Sequence, residues 1–160
     1  MASNPVVGAR MTATIEGDFV VFLIGMRINK LWKVRSWFPV AKEMPPMMAE
    51  LMKHPELGLL GYRMTLGARG PVTVQYWRTA EQLMAFARGS DLPHLAAWRR
   101  FNKAVGSNGD VGIWHETYLV PAGGYEAIYN NMPRTGLAAA GQHEPVARRG
   151  ETAAKRLRAG

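Results

Sequence analysis

Two histidines occupy positions where an imidazole could do chemistry. His115 stands in the middle of the apolar run 111–120, which is predicted to be a β-strand, and His94 lies on the apolar side of a helix predicted just upstream. A buried polar group is either satisfied by a specific partner or takes part in chemistry. An imidazole can act as a general base near neutral pH or ligate haem iron. We therefore predict that His115 and His94 are catalytic. The structural alternative for His115 is a core histidine that donates a ring N–H to a backbone carbonyl, and for His94 it is a first-turn histidine that fills a gap under the strand.

The helix predicted around His94 offers an apolar surround that suits haem. His94, Trp98 and Phe101 follow at spacings that place them on one helix face. A porphyrin buries a large flat area and its iron takes an imidazole nitrogen. The sequence leaves two alternatives open: haem held by His94 or His115 with Trp98 and Phe101, or no cofactor.

Aromatic and methionine side chains supply a candidate wall for a substrate. Tyr76 and Trp77 end a predicted strand and could stack on a planar ligand. Met48 and Met52 lie on the apolar stripe of a predicted helix, where flexible thioethers suit an adaptable wall. Core packing is the competing interpretation for both pairs. We predict a substrate pocket that includes Tyr76, Trp77, Met48 and Met52.

Composition excludes several classes of site. The 160 residues contain no cysteine, so disulfides and thiolate-bound metals are excluded. Any metal would need His, Asp or Glu ligands, and apart from the haem alternative we predict no metal-binding residues. The apolar run 19–26 is shorter than the roughly 20 residues that a membrane span needs. We therefore expect a cytoplasmic protein with no membrane partner.

The net charge of +8 is concentrated near the C-terminal end. Residues 133–160 carry six Lys or Arg against two Glu. We predict a folded domain over 1–132 and a basic extension over 133–160. Nucleic acid is not the expected partner, because the third predicted strand, 72–77, lacks the aromatic consensus of an RNA-recognition motif.

The order of predicted elements indicates the fold. Strands are predicted at 19–28, 60–66, 72–77 and 111–120; helices at 31–38, 45–53, 79–88 and from 93; and, further on, a short strand at 125–129 and a helix at 151–157. This βαββαβ order is that of a ferredoxin-like α+β sandwich with an antiparallel sheet. The first strand is apolar on both faces, and the chain shows no other sheet to cover the second face. We therefore predict a homodimer formed through the sheet faces.

Several motifs together resemble a known family. They are Tyr76-Trp77-Arg78, His94-Leu-Ala-Ala-Trp98 with Phe101-Asn102, Gly112-Ile-Trp-His-Glu116 with Tyr118, and Tyr125-Glu126 with Asn131-Met-Pro133. They resemble a bacterial family of monooxygenase-like proteins, a domain of unknown function whose members are labelled phenylacetaldoxime dehydratase-like, within the dimeric α+β barrel superfamily.

This resemblance implies a sheet-to-sheet dimer and a pocket between the sheet and its helices. The implied enzyme is a monooxygenase, hence an oxidoreductase, or a haem lyase of the aldoxime dehydratase type, acting on a hydrophobic small molecule. The alternative is a non-catalytic module that binds a small molecule or haem. The fold alone does not decide between these functions.

Overall fold

Two antiparallel β-sheets form the framework of the computed structural model, which describes residues 4–88, 103 and 108–158. The strands are β1 (Val7–Thr14), β2 (Phe19–Ile28), β3 (Leu59–Gly67), β4 (Gly70–Trp77), β5 (Val111–Val120), β6 (Tyr129–Met132) and β7 (Gln142–Pro145). The α-helices are α1 (Val34–Leu51), α2 (Ala80–Arg88), α3 (Leu137–Ala140) and α4 (Ala153–Arg158).

The larger sheet has the strand order β3-β4-β2-β5. All three neighbouring pairs are antiparallel, α1 connects β2 to β3, and α2 follows β4. This is the ferredoxin-like arrangement, so the predicted α+β fold class is confirmed. β2 and β5 have the same bounds as the strands predicted at 19–28 and 111–120.

A single helix replaces the two that were predicted between β2 and β3. The prediction of separate helices at 31–38 and 45–53 is wrong, because α1 is continuous and contains Pro39, Pro45 and Pro46. Each proline removes one backbone donor from the helix. The helix continues because its apolar stripe packs on the sheet on both sides of the prolines; the buried members of that stripe are Val40, Met44, Met47, Met48 and Leu51.

The smaller sheet, with the order β6-β1-β7, corrects the expectation that the chain has no second sheet. β1 pairs with β6 and β7, which lie far away in the sequence, so local periodicity gave no signal for it. With α3, this sheet builds a second core in which Ala13, Ile15 and Leu137 pack against Phe19 and its neighbours on the second face of the larger sheet. The chain therefore covers part of that face itself.

The segment after β5 also differs from the prediction. The strand expected at 125–129 is wrong in position, since β6 begins at Tyr129. The Tyr125 hydroxyl instead accepts a hydrogen bond from the Ile15 amide at 2.6 Å and lies 3.1 Å from the Ile15 carbonyl oxygen. This phenol therefore fixes the segment to the turn that follows β1. The helix expected at 151–157 is observed as α4.

A buried carboxylate joins the start of β5 to the start of α1. Asp110 is 2 % exposed and lies 2.8 Å from Lys30 Nζ and 3.0 Å from Lys33 Nζ. Its backbone carbonyl accepts the Asn29 amide at 3.0 Å. Hydrogen bonds from the two lysines lower the pKa of Asp110 to about 2. The carboxylate is therefore held ionised where β2, α1 and β5 meet.

No helix in the described part of the chain is long and apolar enough to cross a membrane.

Candidate functional site

A cavity of about 260 Å³ lies between the larger sheet and its helices. The sheet contributes Phe22 and Ile24 from β2, Gln75 from β4, and His115 and Thr117 from β5, while α1 contributes Met47 and one side of α2 closes the space. Its walls are mainly apolar, with Gln75, His115 and Thr117 as the polar groups among the described lining residues. This combination is typical of a site that binds an apolar small molecule and orients it through a few polar contacts.

Strand register explains why these side chains meet. Phe22 faces Gln75 on one side and Thr117 on the other, so the three form a row across the sheet. Ile24 faces His115 in the adjoining row. Residues directly opposite one another in neighbouring antiparallel strands project from the same face. All five therefore project towards the helices, which is the orientation that alternation along the strand predicts for His115.

His115 lines this cavity but is exposed, whereas the sequence predicted a buried imidazole. The physical reason is that β5 is the edge strand of the sheet, with β2 as its one neighbour there. The imidazole lies against the Phe22 ring, with ring centroids 5.6 Å apart and an interplanar angle of 38°. It can therefore contact a ligand in the cavity and exchange protons with solvent.

Gln75 is a polar site residue that sequence reasoning missed. Trp77 Nε1 donates a 2.9 Å hydrogen bond to Gln75 Oε1, and Trp77 is completely buried against Phe86. An indole nitrogen can only donate, so the amide oxygen faces Trp77 and the amide nitrogen is turned away from it. No other described residue bonds the Gln75 side chain. The available sequence signal was a glutamine at a core-facing position of an apolar strand.

The predicted pocket residues lie elsewhere. Tyr76 projects from the second face of the sheet, and Trp77 and Met48 are fully buried in the core. Met52 is exposed after the end of α1, and none of these four lines the cavity. Met47, the neighbour of Met48, lines it instead. His94, Trp98 and Phe101 lie outside the described residues, so the structure does not bring them together with His115.

The second face of the larger sheet carries a separate group of polar side chains. Burial raises the pKa values of the Tyr76 and Tyr129 phenols, and nearby Arg63 partly opposes this in both. Tyr118 donates a 2.6 Å hydrogen bond to Glu116, which raises the Tyr118 pKa. The part of this face not covered by the smaller sheet, here called the open face, includes Leu23, Gly25, Arg63, Val72, Val74, Trp114, Glu116 and Tyr118.

The described part of the cavity lacks the features expected of a haem site. Its volume of about 260 Å³ is below the roughly 300–1,000 Å³ of sites for drug-sized ligands, and a substituted porphyrin is a large ligand of that kind. His115 is the only imidazole among the described lining residues. An exposed edge-strand histidine also lacks the apolar enclosure expected around an axial ligand.

Comparison with known proteins gives consistent similarities. A family model described as monooxygenase af470-like matches residues 19–137. Monooxygenase af470 of Aspergillus fumigatus is 29% identical over 124 residues, which cover 72% of this chain and 44% of that protein. The matched stretch therefore spans less than half the length of that relative.

Solved structures support the fold. An aldoxime dehydratase in complex with butyraldoxime superimposes with a TM-score of 0.65 at 17% identity, covering 86% of this chain and 41% of the other. A second aldoxime dehydratase gives a TM-score of 0.58 at 19% identity, covering 86% and 42%. At these identities the similarity establishes the shared fold, while the chemistry rests on the site.

Proposed function

Since the chain belongs to the monooxygenase af470-like family, we propose that it is an oxygenase that acts on an apolar small molecule bound between the larger sheet and its helices. The monooxygenase-like family predicted from the sequence motifs is thereby confirmed. The reaction and the roles of individual residues are our proposal. The observation that carries it is the placement of His115 and Gln75 on the walls of one apolar cavity.

His115 serves as the general base. A neutral imidazole removes a proton from a substrate carbon that is conjugated with a carbonyl group through a ring and leaves an electron-rich enolate. Dioxygen adds to that carbon and takes up the proton to form a hydroperoxide. The hydroperoxide then loses water, so the net change converts CH₂ and O₂ into C=O and H₂O. The substrate supplies the electrons and no further reductant is required.

Gln75 serves as a donor to the developing oxyanion. Its oxygen accepts a hydrogen bond from Trp77, and its amide nitrogen, which has no partner among the described residues, would donate to the enolate oxygen. Gln75 and His115 belong to strands on either side of β2, about 10 Å apart at the usual strand spacing. One substrate with fused rings can span that distance, with its carbonyl at one end and its acidic carbon towards the other.

Two versions of this chemistry predict different cofactor requirements. The volume of the cavity favours the version without a cofactor, in which the substrate itself activates oxygen. The haem-dependent version, including dehydration of aldoximes, requires haem to bind at one site per protomer. Titration with haemin separates them: a saturable Soret shift that His115→Ala abolishes would support the haem-dependent version and contradict ours.

Oxygen uptake with anthrone, a tricyclic ketone with an acidic carbon, tests the proposal. We expect His115→Gln to lower kcat by about 10²–10⁴, the usual contribution of a general base. We expect Gln75→Leu to lower kcat by about 10² through loss of the oxyanion donor. His54→Gln is the matched control, because the His54 side chain is 41% exposed and does not line the cavity. This substitution should leave turnover unchanged. Equal rates for His115→Gln and the native protein would refute the role of His115.

The non-catalytic alternative gives a distinct result in the same assay. A ligand-binding module would bind anthrone saturably and consume no oxygen above the background rate. That outcome would keep the cavity as a binding site and remove the oxygenase proposal.

We further propose that two copies associate through the open face. Trp114 and Tyr118 are exposed there, beside half-buried Leu23 and Val74. Arg63 and Glu116 lie on opposite edge strands of the same face, so a two-fold copy would place opposite charges together. Sedimentation velocity should give the mass of a dimer.

A further inference from the structure

An exposed group of apolar side chains surrounds the start of α1. Leu31, Trp32, Val34 and Phe38 are 49%, 77%, 50% and 54% exposed. Single exposed apolar residues are common on protein surfaces, but a contiguous group marks a site of interaction. These residues lie outside the cavity proposed as the active site, so they require a separate explanation.

The group continues into a groove beside the turn between β3 and β4. Trp37 Nε1 donates a 3.0 Å hydrogen bond to the Leu31 carbonyl, and the Trp37 and Phe38 rings lie 6.1 Å apart. Trp37 also lines a groove of about 450 Å³ whose opposite wall is residues 66–71. Leu66 in that wall is 85% exposed. We call these residues, Leu31, Trp32, Val34, Trp37, Phe38 and Leu66, the apolar patch.

The charge around the apolar patch is positive. Residues 30–42 contain Lys30, Lys33, Arg35 and Lys42 and no acidic residue. Arg69 adds a further cation in the wall of the groove. The Asp110 carboxylate lies close to Lys30 and Lys33, but its single charge is buried and is exceeded by those two lysines. The surface presented around Trp32 is therefore both apolar and cationic.

We propose that the apolar patch docks the protein on the surface of an anionic lipid bilayer. Tryptophan, phenylalanine and leucine enter the boundary between headgroups and acyl chains, and lysine and arginine attract anionic headgroups. The proposal departs from the sequence-based expectation of no membrane partner, and it needs no spanning helix, because a protein can lie on a membrane surface without one. The proposal does not depend on the oxygenase chemistry.

Charge argues against a second copy as the occupant. In a two-fold dimer the same patch meets itself. Lys33 and Arg35 of each copy would then approach the same cations of the other, with no anion from residues 30–42 to compensate. An anionic surface satisfies both the apolar and the charged parts of the patch.

Co-sedimentation of the full chain with vesicles tests the proposal. We expect binding to phosphatidylcholine vesicles that contain phosphatidylserine, much weaker binding to phosphatidylcholine alone, and loss of binding at high salt. Trp32→Ala and Phe38→Ala should each lower the partition coefficient roughly tenfold. Leu157→Ala is the matched control, because Leu157 is 49% exposed on α4, outside the patch. Equal binding by native protein and Trp32→Ala, or no binding to either vesicle, would overturn the proposal.

Brominated lipids identify the inserted side chain directly. Bromine on the acyl chains should quench part of the fluorescence of the five tryptophans on vesicle binding. Trp32→Phe retains an apolar ring and should still bind, but with clearly less quenching. Undiminished quenching would mean that a different surface contacts the lipid. If Trp32→Ala instead lowers the mass measured by sedimentation velocity, the patch is a contact between copies and the proposal fails.

Discussion

Trp77 and Gln75, two residues apart on β4, project from the same face and are joined by a 2.9 Å hydrogen bond within the core. Trp77 fixes the direction of the amide, and Gln75 satisfies an indole that is completely buried. The core of the sheet and the polar wall of the cavity are thus coupled through one contact.

Trp77→Phe should therefore impair both stability and activity. The substitution leaves Gln75 Oε1 unpaired in a buried position, which costs about 1–3 kcal/mol in the free energy of unfolding. Urea denaturation measures this cost, and oxygen uptake should fall because the amide is no longer oriented. A variant with lower stability but native kcat would show that Gln75 does not act in turnover.

Asp110 should make stability depend on acid pH. Its pKa is lowered from the usual 3.8 to about 2, chiefly by hydrogen bonds from Lys30 and then Lys33. As the pH falls, Asp110 is protonated in the unfolded chain before it is protonated in the folded protein. Its contribution to the free energy of unfolding is therefore complete above about pH 4 and is lost as the pH falls towards 2. Asp110→Asn should be less stable than native at neutral pH, with the difference vanishing near pH 2. A difference in urea midpoint that is constant over this range would contradict the assignment.

The ion pair between Arg156 and Glu126 should contribute more to the free energy of unfolding than the ion pair between Arg10 and Glu151. Arg156 is 5% exposed, and its Nη2 lies 2.6 Å from Glu126 Oε1. Glu126→Ala leaves a buried guanidinium without its carboxylate, with the Gly150 carbonyl as an acceptor that remains, and should cost up to about 3–5 kcal/mol. Glu151→Ala breaks an exposed 2.7 Å pair and should cost under about 1 kcal/mol. Equal losses of unfolding free energy would show that burial does not govern these pairs.

Gly25 should tolerate no side chain, because Trp114 lies directly over it. A Cβ at residue 25 would overlap the indole, so Gly25→Ala must displace Trp114 from the open face. We expect a loss of about 1–3 kcal/mol in unfolding free energy and weaker dimerisation. Gly8→Ala is the control, since a Cβ there meets no atom within 4 Å. Unaltered dimerisation in Gly25→Ala would remove the open face from the proposed interface.

His143 should destabilise the smaller sheet as the pH falls. Burial, together with nearby Arg134, lowers the pKa of His143 below its usual 6.5, and its ring packs edge-on against Tyr129. The unfolded chain binds this proton more readily, so stability is retained above about pH 6.5 and declines below it. His143→Gln should flatten the fall in Tm between about pH 7 and 5. An unchanged slope would assign the dependence to another group.

The larger sheet was predictable because each of its strands carries its signal locally. The runs 19–28 and 111–120 are long and apolar, and the hairpin of β3 and β4 is marked by alternation and by the turn at 67–70. The helix before it was harder to predict, because prolines 39, 45 and 46 are local signals to stop and the packing of the methionine stripe overrides them.

The candidate site was predictable only in part. Alternation gave the correct face for His115, but its exposure follows from the position of β5 at the sheet edge, which depends on strand order. Met47 and Met48 are both buried and adjacent, and helix rotation decides that Met47 lines the cavity. Gln75 acquires its role from Trp77, a contact that composition does not reveal.

Strand β1 also determines an order of assembly. Met11 in this strand pairs with Tyr129 on one side and Pro145 on the other, and both partners are synthesised much later than β1. Contacts this distant in sequence close slowly, because the loop entropy must be overcome before any pairing is gained. We therefore expect the smaller sheet to close over Phe19 and Tyr76 after the larger sheet, because both of its pairings need residues 129–145, which are synthesised after β5. A nascent chain that stalls before residue 129 would leave β1 as an unpaired strand edge available for aggregation.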